Sequence, residues 1–137
     1  MSHSTENNVS HPTQSYVGLI VQNPSLTRDF YVKHLGFSVQ IEMEAYVHLV
    51  HPPSQFELAL LRQGEPNHLA QMQTGSQGNG LWIGLEVANA DEDHQRLKTE
   101  GVTILQPPTD QPWGERTIVI QDPDGVVIYL GHKLTNN

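Results

Sequence analysis

The chain has 137 residues, room for one ordinary domain or two very small modules sharing a core. Seven Lys and Arg against 15 Asp and Glu leave a formal charge of −8, which argues against nucleic acid or an anionic membrane as the main partner. The absence of cysteine excludes a disulfide framework, a thiol nucleophile, a zinc–thiolate site and an iron–sulfur cluster.

Residues 1–14 are polar, contain His3, His11 and Pro12, and have no apolar stretch of the kind a signal peptide carries, so they read as a disordered leader. No apolar run approaches the ~18 residues that span a bilayer. The expectation is a cytoplasmic protein.

The first strand is expected over 16–21, Tyr-Val-Gly-Leu-Ile-Val, and it returns at 82–87 as Trp-Ile-Gly-Leu-Glu-Val. Gly, Leu and Val coincide in register, the first position is aromatic in both, and Asn23 matches Asn89. The likeness persists downstream, with Gly36 fifteen positions after Val21 and Gly101 fourteen after Val87. Such a repeat of order and spacing points to duplication. In each half a turn with candidate helix caps follows, Asn23 or Ser25 in one and Asn89 or Asp91 in the other. Helices are then expected over 26–35 and 92–100, ended by Gly36 and Gly101. In the first helix Leu26, Phe30, Val32 and Leu35 approximate the apolar stripe.

Three short strands complete each half, near 37–43, 45–50 and 55–61, then near 102–106, 115–121 and 126–132. Asp122-Pro123-Asp124-Gly125 turns between the last two. The fold class is therefore α+β, with two βαβββ modules over 15–62 and 81–134 in one compact domain. The Gln-, Gly- and Asn-rich stretch 63–80 reads as a flexible linker loop. Neither half can bury a sheet face alone, so the two should curve together around a cleft.

Two stretches carry a family likeness. Asp29-Phe30-Tyr31-Val32-Lys33-His34-Leu35-Gly36-Phe37 resembles a helix end of the vicinal oxygen chelate superfamily, the group of glyoxalases, bleomycin resistance proteins and extradiol dioxygenases. Pro112-Trp113-Gly114-Glu115-Arg116 followed by Asp122-Pro123-Asp124-Gly125 resembles its bleomycin-resistance and glyoxalase-like branch. The resemblance spans residues 15–132. It implies a half-open barrel around a small-molecule site, commonly in a two-fold homodimer.

The resemblance also implies four positions where metal-dependent members hold a divalent ion. Here they fall on Tyr16, Glu57, Trp82 and Tyr129, with Glu57-Leu58 aligned to Tyr129-Leu130. Indole has no lone pair for a metal, and phenol binds one well only when deprotonated. One carboxylate does not hold a transition metal against water, since catalytic sites use about three protein ligands. The histidines offer no replacement set: His34 and His94 fall on helices, His68 in the linker, His132 near a strand end, and His48 and His51 read as surface or edge residues. No metal and no other cofactor is expected.

What stands in place of the metal is aromatic. Tyr16, Trp82 and Tyr129 are expected to face the cleft and Trp113 to close over it, as flat surfaces for a flat or cationic ligand. Glu57 and Glu86 would add negative charge, Glu86 sharing a face with Trp82 and Gly84 by strand alternation. The ligand-binding set is thus Tyr16, Glu57, Trp82, Glu86, Trp113 and Tyr129, with no catalytic residue. The expected function is metal-free binding of a small planar, cationic molecule, of the drug-sequestering type. The alternative is a glyoxalase-like metal-dependent lyase or another vicinal oxygen chelate enzyme. No Gly-x-Ser-x-Gly, phosphate loop or dinucleotide fingerprint is present, and Gly75-Ser76-Gln77-Gly78 reads as loop.

Overall fold

A computed structural model describes residues 10–135. Most of the expected leader, 1–9, lies outside the described residues. Residues 10–14 are exposed and irregular, yet Gln14 is tied by its side chain to Glu57.

The first module runs β1 (Val17–Val21), α1 (Pro24–Leu35), β2 (Ser38–Glu42), β3 (Tyr46–His51) and β4 (Phe56–Arg62). The second runs β5 (Trp82–Glu86), α2 (Ala90–Thr99), β6 (Thr103–Asp110), β7 (Glu115–Gln121) and β8 (Val127–Lys133). Each forms a four-stranded sheet, in the orders β1-β4-β3-β2 and β5-β8-β7-β6, and the opening strand is parallel to the last in both. The architecture is α+β with two like modules, as the repeat implied. The two sheets stay open and do not close into a barrel. Among the described residues no helix is long and apolar enough to cross a membrane.

Asn23 caps α1 through its side-chain oxygen, which accepts from the backbone of Ser25 and Leu26, and Asn89 caps α2 by accepting from Glu92. Gly36 closes α1 at φ 76°, in the left-handed region. The buried face of α1 is not the expected stripe. Leu26 and Val32 are exposed, while Thr27 and Tyr31, one helical turn apart, are buried. The second module sets that choice. Tyr31 donates its hydroxyl hydrogen to Asp122 at 2.7 Å, and Thr27 donates to Asp124.

The Asp122–Gly125 turn is therefore more than a connection between strands. Asp122 also accepts from the backbone of Asp124 and Val126, and Asp124 accepts from the backbone of Gln22. These bonds fasten the modules, and one hydrophobic core containing Leu19, Tyr31, Leu58, Leu97, Ile118 and Leu130 runs through both. The 63–80 stretch packs down on β1. A Cβ on Gly75 would fall far inside contact distance of the Ile20 carbonyl oxygen, so glycine is required there. β6 runs on to Asp110 rather than ending near 106, because Pro107 and Pro108 lie on an edge strand whose pairing is already irregular there.

Candidate functional site

The helices pack on one face of each sheet, α1 against β2, β3 and β4, and α2 against β6, β7 and β8. The opposite faces carry the candidate residues. On the second sheet, alternation along β5 turns Ile83 inward and leaves Trp82, Gly84 and Glu86 outward. Gly84 pairs with Tyr129 and Glu86 with Gly131 across to β8. Trp113 rises from the β6–β7 turn, where Gly114 adopts φ 94°, and its indole N–H donates to Glu115 at 2.8 Å.

Together these residues line an open cleft of about 630 Å³, with Glu115 and Thr117 on its wall and Gly84 and Gly131 on its floor. The Trp82 and Tyr129 rings meet edge to face, 6.3 Å apart. Trp82 is 69% exposed and Trp113 62%, so each has most of an aromatic surface left to bury. Four of the six expected residues, Trp82, Glu86, Trp113 and Tyr129, are thus brought together. Glu115 joins them. Its place two residues after Trp113 and at the start of a strand was the signal for it.

Tyr16 and Glu57 lie elsewhere, on the first sheet. Tyr16 lines a separate cavity of about 440 Å³ with Tyr46, Leu61 and Met72. Glu57 is 8% exposed and offers no free charge. Its carboxylate accepts from Gln14 Nε2 at 2.9 and 3.0 Å and from His48 Nε2 at 2.6 Å. The His48 bond, then Gln14, holds the carboxyl below the usual range. His48 was read as a surface or edge histidine, and the structure corrects this: it is 7% exposed, with Nδ1 2.8 Å from the Tyr46 hydroxyl and the Tyr16 ring edge-on at 5.1 Å.

The pairing registers also correct the alignment within the repeat. Gly18 pairs with Ala59 as Gly84 pairs with Tyr129, so the counterpart of Tyr129 is Ala59, and Glu57 answers to Val127. The four positions of a metal-dependent relative then carry phenol, methyl, indole and phenol. That donor set does not fit a divalent ion. Among the described residues no three His, Asp or Glu side chains cluster as a metal site would need.

The comparisons agree with this architecture. A structure described as a glyoxalase/bleomycin resistance protein/dioxygenase from Nocardioides aligns with TM-score 0.77 at 22% identity, covering 98% of this chain and 91% of its own. A member of the same superfamily from Sphaerobacter thermophilus DSM 20745 is 28% identical with TM-score 0.69, over 89% of this chain and 98% of its own. TnmS3, an antibiotic binding protein from Streptomyces sp. CB03234, is 25% identical with TM-score 0.70, over 90% and 99%. No curated protein matches. The family model described as Glyoxalase/Bleomycin resistance protein/Dioxygenase superfamily matches residues 13–130, and with its paired βαβββ modules the chain belongs to that superfamily.

Proposed function

We propose that this chain is a metal-free binding protein for a small planar, cationic molecule, a cytoplasmic homodimer that acts by lowering the ligand's free concentration. The observation that carries the reading is the second-sheet cleft, where two largely exposed tryptophans and Tyr129 flank a glycine floor beside Glu86 and Glu115. Aromatic faces attract flat rings and cations, and nearby carboxylates favour positive charge. The description of TnmS3 as an antibiotic binding protein supports the same class of function.

Titration with planar cations, bleomycin-type glycopeptides among them, is expected to quench tryptophan fluorescence saturably. Trp82→Ala is expected to weaken binding by about 1–3 kcal/mol through lost contact area and cation–π attraction. Unchanged affinity in that variant refutes the assignment of the cleft. The competing lyase would use a divalent ion as Lewis acid. Elemental analysis after dialysis separates the two. About one transition-metal ion per chain retained after dialysis would favour the lyase.

A further inference from the structure

The cavity on the first sheet is not explained by the tryptophan cleft. Tyr16, Tyr46, His68 and Gln71 are its polar lining, beside Leu61 and Met72. Behind Tyr46 stand His48 and Glu57, each more than nine-tenths buried. An ionised carboxylate can only accept, so the 2.6 Å contact requires His48 to donate its Nε2–H to Glu57. With the imidazole neutral, that bond fixes the tautomer and leaves a lone pair on Nδ1. Tyr46, 2.8 Å away, must then donate its hydroxyl hydrogen to Nδ1. Burial, with Tyr16 and Glu57 nearby, pushes the Tyr46 phenol up, so the hydrogen is present at neutral pH. With that hydrogen committed inward, the Tyr46 oxygen offers the cavity lone pairs only.

We propose that the first sheet holds a second small-molecule site, for a compact aromatic compound bearing an O–H or N–H donor. Tyr46 is its polar anchor, and the His48–Glu57 pair makes that anchor an acceptor. The chain also predicts its own reversal. A cationic His48 donates from both nitrogens, so Nδ1–H turns to the Tyr46 oxygen and the phenol hydrogen becomes free to point into the cavity. The neighbours of His48 leave this logic intact. Ile41 on β2 and Ala59 on β4, its pairing partners, do not titrate, and Tyr16 meets it by its ring edge. Gln14, the other donor to Glu57, is uncharged. The site does not depend on the proposed role of the tryptophan cleft, because none of its lining is shared with that cleft.

The test uses the full chain and two probes, phenol, which can donate, and anisole, which can only accept. Nitrogen NMR of the free protein near neutral pH is expected to show His48 protonated on Nε2 and bare on Nδ1. Phenol is expected to shift the Met72 methyl and Tyr46 ring signals saturably and to bind at least fivefold more tightly than anisole, the scale of one net hydrogen bond. The ratio should fall to about one in Tyr46→Phe and stay as in the parent in Trp82→Ala. A proton on Nδ1 at neutral pH overturns the proposal without any variant. So do equal affinities for the two probes, a preference that survives in Tyr46→Phe, or phenol shifts confined to the tryptophan signals.

Discussion

Gly84 allows the ligand cleft and the fold to be tested with opposite signs in one variant. It lies in β5 between Trp82 and Glu86 and pairs with Tyr129, on the cleft floor. A Cβ built on it meets nothing of the described structure within 4 Å, and its backbone is not in the left-handed region. The Cβ of a valine therefore enters without a clash. Glycine inside a strand costs about 0.5–1 kcal/mol relative to alanine, and valine suits a strand better still. Gly84→Val is expected to stabilise the chain by about that amount, a rise in melting temperature of about 2–4 °C for a domain of this length. Its two methyls would occupy the floor on which a flat ligand lies. Affinity for a planar cation such as proflavine, read by isothermal titration, is expected to fall at least tenfold, about 1.4 kcal/mol. Gly18→Val is the control, since Gly18 is the equivalent residue of the first sheet and equally open. It should stabilise likewise and leave binding at the tryptophan cleft intact. A stable Gly84→Val that binds like the parent refutes a ligand lying across this floor. A destabilised one refutes the open geometry.

Asp122→Ala strands two buried donors, the Tyr31 hydroxyl and the Val126 N–H, and the half-buried Asp124 N–H, and is expected to cost about 3–5 kcal/mol in urea unfolding. A loss below about 1 kcal/mol would show that the turn does not fasten the modules. Acid stability follows from the directions of the carboxyl shifts. Glu57 is lowered by its bonds from His48 and Gln14, so its stabilisation is present above the ordinary glutamate range and lost as pH falls through its folded value. Glu57→Gln should therefore flatten the acid limb of a stability–pH profile. Asp122 is raised by burial, so its contribution runs the other way and weakens as pH rises through its folded value. Asp122→Asn should remove that decline, and a profile unchanged in both variants would contradict the assigned shifts.

The duplication was legible because it rests on residues the backbone needs at fixed places. Asn23 and Asn89 cap, Gly36 turns left-handed, and Gly18 and Gly84 stand opposite each other's counterparts in register. The misplacement of Glu57 against Tyr129 has a simple cause. Strands repeat every two residues, so a slip of two keeps the correct face and names the wrong position, and the run Phe56–Leu60 has nothing within it to pin the register. The stripe on α1 failed for a different reason. Leu26 and Val32 satisfy helical periodicity, but Thr27 and Tyr31 have polar partners some ninety residues away that no local pattern reveals. His48 was missed because Tyr16, which packs against its ring, comes from outside its own hairpin. The hairpin itself held a usable signal. Once Val50 is paired with Glu57, His48 falls diagonally across from that carboxylate on the same face.

The two sheets can be compared position by position once the registers are aligned. Tyr46 answers to Thr117, His48 to Val119 and Glu57 to Val127, so the second module replaces the whole phenol–imidazole–carboxylate chain with residues that do not titrate. A buried polar chain is costly when one member is missing, which favours keeping all of it or none. The exchange also runs in the other direction. Tyr16 and Ala59 of the first sheet become Trp82 and Tyr129, and Leu61 becomes Gly131, so the second face gains ring surface while its floor loses side-chain bulk. A Cβ on Gly131 would come within 2.9 Å of Thr117 Cγ2, so this floor tolerates no larger residue there without a shift. One backbone plan thus presents a hydrogen-bonding face and a stacking face. The difference arises from side chains at equivalent strand positions.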